Sequence, residues 1–143
     1  MSDKKKLSSQ SGLELNSSIP SLILEDFNGE YLTLNSYKKP TILIFVSLYC
    51  EHCVDLLPYI GLFKEQYNMV LFSNGDKEDH QEMNEYFQWQ FPLISMNINE
   101  MKEIFKVEFL PFVNIYNAEG ILISKGVVYK ESDLKFLIES VQL

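Results

Sequence analysis

The hydrophobic pattern divides the chain into short apolar runs separated by helically spaced stretches. Thr41–Val46 is β-branched and apolar without polar alternation, which predicts a strand buried on both faces, as the centre of a helix-covered sheet requires. Over residues 51–67, Val54, Leu57, Ile60, Leu62 and Phe63 recur at helical spacing around Pro58. Proline removes a backbone hydrogen bond, so this pattern predicts a bent helix. Apolar runs at 69–72 and 91–96 predict two further strands. Between them, Ser73-Asn74-Gly75-Asp76 has turn chemistry and opens a helix through Glu78, Gln81, Glu82, Met83, Tyr86 and Phe87. Asn97 or Asn99 can cap a helix through Met101, Ile104 and Phe105. Phe112–Tyr116 and residues 121–124 predict two strands around Asn117-Ala118-Glu119-Gly120, and 132–141 is an amphipathic helix. Ahead of all these, residues 22–24 and 31–34 flank an Asn28-Gly29 turn and predict an accessory hairpin. The alternation of strands and helices, closed by a hairpin and a helix, predicts the α/β class with a mixed sheet covered on both faces.

The 143 residues fit a single domain, expected over 19–143 behind a flexible lead-in of residues 1–18. With 46% hydrophobic residues, the chain is neither disordered nor of low complexity. At this size folding buries about two-thirds of the unfolded surface, so no disulfide or structural metal is needed to complete a core. The 2 cysteines therefore need another explanation. Net charge is −8, from 12 basic against 20 acidic residues, and this field repels a phosphate backbone, so nucleic acid is not expected as a partner. Lys4, Lys5 and Lys6 begin a polar stretch that resembles neither a signal-peptide core nor a membrane span and reads as a solvated tail. The sequence as it stands points to the cytoplasm, or outside the membrane if the natural chain carries an anchor. A monomer is expected.

The chemistry concentrates in Cys50-Glu51-His52-Cys53, placed where the buried strand ends and the long helix begins. Unpaired N–H groups at a helix start face Cys50 and favour a thiolate, the nucleophile of disulfide exchange, while Cys53 one turn on should be more buried. Cys50 can then attack a substrate disulfide and Cys53 can resolve the mixed disulfide. His52 between them favours the thiolate if protonated, an effect that Glu51 and Asp55 oppose. Half a zinc site is a poorer reading, because no second cysteine pair exists and only His52 and His80 could add ligands. An inert buried pair and a noncatalytic interaction module remain as bland alternatives. A Cu(I) chaperone using both thiolates and His52 is a chemical one. Leu110-Pro111 precedes an apolar strand, where a cis bond would bring backbone beside the cysteines for a peptide to pair with. His80, among Asp76, Asp79 and Glu82, reads as a solvated helix residue, and Phe87, Trp89 and Phe91 as core.

Together these residues resemble the thioredoxin superfamily, more closely its TlpA/ResA-like thiol–disulfide oxidoreductase branch. The stretch from Ile19-Pro20 to Asn28-Gly29 is similar to that branch's hairpin, and 42–53 to its strand and CxxC segment. Pro58 matches its helix kink, 76–95 its inserted helix and strand, and Leu110-Pro111 its cis-proline loop. The resemblance implies a thioredoxin fold with Cys50 as attacking thiol, Cys53 as resolving thiol and Pro111 as a substrate-facing cis-proline flanked by Leu110. Tyr49 stands at a substrate-facing position where the family usually has Trp. Ile44 replaces the buried Asp of thioredoxin itself, and Leu56 stands where haem-maturation reductases often carry Glu. His52 is similar to the pattern in disulfide isomerases and oxidases. The expectation is a cofactor-free and metal-free thiol–disulfide oxidoreductase with an oxidase or isomerase bias. Its partners would be a cysteine-containing protein or peptide, such as a secreted bacteriocin, and a redox partner that recycles the pair, a membrane-bound one included. A reductase of thioredoxin or TlpA type and the Cu(I) chaperone are the alternatives.

Overall fold

The computed structural model describes residues 11–36 and 38–141. In chain order it contains β1 (Ile23–Glu25), β2 (Tyr31–Thr33), a 3-10 turn (Leu34–Ser36), β3 (Thr41–Val46), α1 (Glu51–Leu56) and a 3-10 segment (Leu57–Phe63). These are followed by β4 (Asn68–Ser73), α2 (Lys77–Phe87), β5 (Leu93–Ser95), α3 (Ile98–Phe105), β6 (Phe112–Tyr116), β7 (Leu122–Val127) and α4 (Glu131–Glu139). The main sheet has the order β5-β4-β3-β6-β7, and β1 with β2 forms the separate hairpin. β4 runs parallel to β3 and β5 to β4, whereas β6 and β7 are antiparallel additions on the other side. β3 is therefore central, and all of its residues are buried.

Side chains of β3 alternate between two cores, as strand geometry dictates. Ile42, Ile44 and Val46 join Cys53, Leu56, Ile60, Leu134 and Ile138 on the face carrying α1 and α4. Leu43 and Phe45 join Phe72, Met101, Phe105 and Phe112 on the face covered by α3 and the hairpin. Helix starts follow local chemistry: Asp76 with Asp79 and Asn97 with Glu100 form reciprocal capping boxes at the N-termini of α2 and α3. Asn97, rather than Asn99, is thus the cap of α3.

Two expectations are corrected. The bent helix over 51–67 is an α-helix only to Leu56 and continues as a 3-10 segment with Pro58 in its first turn. The proline nitrogen cannot donate to an i−4 carbonyl and its ring crowds that turn, so the α-helical ladder ends there. Residues 11–18, expected within a flexible lead-in, lie against the domain. Glu108 N–H donates to Ser11 Oγ at 2.9 Å, Gly12 N–H to the Lys106 carbonyl at 2.7 Å, and Leu122 N–H to the Ser17 carbonyl at 2.8 Å. The Ser18–Ile121 bridge extends this cover over the start of β7, an edge strand that would otherwise present unpaired backbone. The lysines at 4–6, with the rest of 1–10, lie outside the described residues. No helix among the described residues is long and apolar enough to cross a membrane.

Candidate active site

The site forms where β3 runs out of sheet. Past Val46 the chain turns through Ser47, Leu48 and Tyr49, and Asn74 from the loop after β4 anchors the turn. Its Oδ1 accepts from Leu48 N–H at 2.8 Å, and its Nδ2 donates to Ser47 Oγ at 3.2 Å. Ser47 Oγ also accepts from Tyr49 N–H at 3.2 Å. Cys50 follows as the N-cap of α1 in extended conformation, its Sγ accepting from Cys53 N–H at 3.3 Å. A helix N-terminus leaves N–H groups without intrahelical acceptors, and here a sulfur supplies one.

The two sulfurs are unequal. Cys50 is half-buried, while Cys53 is 1% exposed and belongs to the core. Both are free thiols. Burial pushes the Cys53 thiol well above the usual range, and its hydrogen bond with Cys50 adds to the rise. Ser47 N–H, donating to Cys53 Sγ at 3.4 Å, works in the other direction. Across the site, the Cys50 thiol lies 3.8 Å from the Leu110 carbonyl oxygen. The Leu110–Pro111 bond is cis. Pro111 is buried and Leu110 half-buried, so Leu110 is the more exposed of the two. Tyr49 stands 93% exposed next to Cys50. His52 is exposed and stacks on Tyr129 with centroids 4.6 Å apart and planes at 30°. Tyr129 lies after β7 and carries no sequence signal of its own. Among the described residues there is no group of three or more His, Cys, Asp or Glu that could hold a metal ion.

No protein-family model matches the chain. The methylamine utilization protein MauD of Methylorubrum extorquens is 25% identical over 137 residues, a match that takes in 90% of this chain and 65% of that protein. The chain thus spans a little under two-thirds of the length of this relative. Among solved structures, the thioredoxin domain of a thiol-disulfide oxidoreductase from Bacteroides vulgatus superposes with a TM-score of 0.70 at 20% identity, covering 90% of this chain and 97% of that one. A secreted Mycobacterium tuberculosis disulfide oxidoreductase homologous to E. coli DsbE superposes with a TM-score of 0.70 at 14% identity, covering 85% and 96%. This is a thioredoxin-fold protein.

In this thioredoxin-fold chain Cys50, Cys53, Leu110 and Tyr49 meet at one end of the sheet, with His52 on the outer side against Tyr129. Ile44 is buried in the same core cluster as Cys53. His80 is corrected. It is completely buried rather than solvated, and neither ring nitrogen has a hydrogen-bond partner among the described residues. A Cβ placed on Gly75 would stand 3.2 Å from its Nε2 and 2.7 Å from Leu48 Cδ1, so the glycine lets α2 pack closely against the active-site loop. The signal was present in the spacing of His80, Met83 and Phe87, which puts all three on one helix face. The acidic neighbours masked it. Trp89 and Phe91 are core as expected, whereas Phe87 is half-buried and also borders a surface groove.

Proposed function

We propose that the protein is a thiol–disulfide oxidoreductase that exchanges a Cys50–Cys53 disulfide with cysteines of a protein or peptide. The observation that carries this reading is the unequal placement of the two sulfurs across the first turn of α1, one within reach of solvent and one in the core. In the oxidising direction a substrate thiolate attacks the Cys50 sulfur, and Cys53 leaves as a thiolate and takes up a proton. A second substrate thiol then attacks its own mixed-disulfide sulfur and releases Cys50. The substrate loses two protons and two electrons, and the pair gains them. Burial disfavours the departing Cys53 thiolate and so slows this step, and the Ser47 N–H, 3.4 Å from its Sγ, works against that penalty. A redox partner carrying a disulfide must reoxidise the pair for turnover.

The residue between the two cysteines supports one direction of net flow. His52, held by its ring contact with Tyr129, stands between the two cysteines in a pattern that resembles disulfide isomerases and oxidases. This supports an oxidase or isomerase bias, with small cysteine-bearing peptides such as secreted bacteriocins within the substrate class. Equilibration with glutathione tests it. The expected potential lies nearer the isomerase value of about −180 mV than the thioredoxin value of about −270 mV. A value at the thioredoxin end would make the protein a reductase.

A further inference from the structure

We propose that a groove beside Cys50 docks the residues flanking the reacting cysteine in a cationic, amphiphilic peptide substrate, an inference that rests on the exchange reaction proposed above. The groove has a volume of about 370 Å³ and lies between α2 and two residues that flank Cys50 in the chain, Leu48 before it and Leu57 after it. Leu48, Leu57, Met83 and Phe87 line it, with Asp79 and Glu82 at its edge. Leu48 is two residues from Cys50, a chain separation of at most about 7 Å. A peptide seated on the groove therefore carries its cysteine within two or three residues of the contact.

The character of the groove selects the occupant. Among the described residues, no Lys or Arg lines it. Four acidic residues, Glu78, Asp79, Glu82 and Glu85, fall on α2 against one lysine, Lys77, and the nearby α1 adds Glu51 and Asp55, both exposed. Lys or Arg beside a substrate cysteine would meet opposite charge on approach, and aliphatic or aromatic neighbours would meet the apolar lining. Tyr86 on the groove is 82% exposed and Tyr49 beside Cys50 is 93% exposed, which leaves two aromatic rings for a ligand to cover. A second copy of the chain, at −8, would bring like charge to the same surface.

The test uses the oxidised full-length chain and matched two-cysteine peptides. One peptide has Lys and Leu around its cysteines, a second Glu and Leu, a third Lys and Ser. Each rate of reduction of the chain is divided by that peptide's rate toward bis(2-hydroxyethyl) disulfide, a neutral acceptor that removes differences in intrinsic thiol reactivity. The Lys/Leu peptide is expected to exceed the Glu/Leu peptide about tenfold at low salt, with the ratio falling toward unity at high salt. The Lys/Ser peptide is expected to be several-fold slower than Lys/Leu. Glu82→Lys should shrink the charge preference. Glu119→Lys, the same charge change in the turn at the opposite end of the sheet, should retain it. Equal normalised rates in the wild type, or equal losses in the two variants, would overturn the groove and leave the exchange reaction standing. Absence of reduction by every peptide and by dithiothreitol would overturn both.

Discussion

At the residue scale the chemistry depends on the difference between two sulfurs. Cys53 is sealed and its thiol is pushed upward by burial, while Cys50 caps a helix at the surface. Iodoacetamide at neutral pH should therefore label Cys50 and spare Cys53 in the reduced chain, read by peptide mapping, and equal labelling would contradict the burial. His52 belongs to the same scale. His52→Ala should lower the potential by roughly 30 mV, the equivalent of a tenfold change in the exchange constant. An unchanged potential would make the stack on Tyr129 purely structural. His80 gives a separate handle. Burial lowers its proton affinity, with Asp79 and Asp76 opposing, so below its ordinary pKa near 6.5 the unfolded chain takes up a proton that the folded chain refuses. Stability is lost as pH falls from about 6.5 toward the folded value. Urea midpoints should show a shallower loss between pH 7.5 and 5 for His80→Leu than for the wild type.

At the element scale, Pro58 turns one helix into an α-helical turn followed by a 3-10 segment, and that segment has its own packing partner. Phe87, Trp89 and Phe91 form a stacked ladder, with centroids 4.6 and 5.4 Å apart in succession. Gly61 faces Trp89 so closely that a Cβ there would stand 2.8 Å from Trp89 Cδ1. Gly61→Ala should cost about 1–3 kcal/mol in chemical denaturation, the range for overpacking a filled site. A neutral change would mean that the ladder yields easily. Strands were legible because Thr41–Val46 has no polar alternation, and helix starts because Asp76 and Asn97 are strong caps. The 3-10 continuation was not, because apolar spacing around a proline is shared by a kinked helix and a broken one.

At the scale of the whole molecule, the sheet makes a site from residues far apart in sequence. Cys50 and Leu110 are 60 positions apart and meet because β6 pairs antiparallel with β3 and starts where β3 ends. The sequence disclosed the CxxC pair and its position after a buried strand, and the resemblance supplied the proline loop. Tyr129, Asn74 and the docked residues 11–18 were hidden because their roles come from long-range contacts that no local pattern encodes. The central claim, that Cys50 and Cys53 pass between dithiol and disulfide with Cys50 as the external sulfur, is tested by titrating the reduced chain with oxidised glutathione and reading acid-quenched masses. An intramolecular disulfide is expected in the wild type, a stable glutathione adduct on Cys50 in Cys53→Ser, and no adduct on Cys53 in Cys50→Ser. A wild-type chain that keeps both thiols throughout the titration, or an adduct that forms preferentially on Cys53, would contradict it.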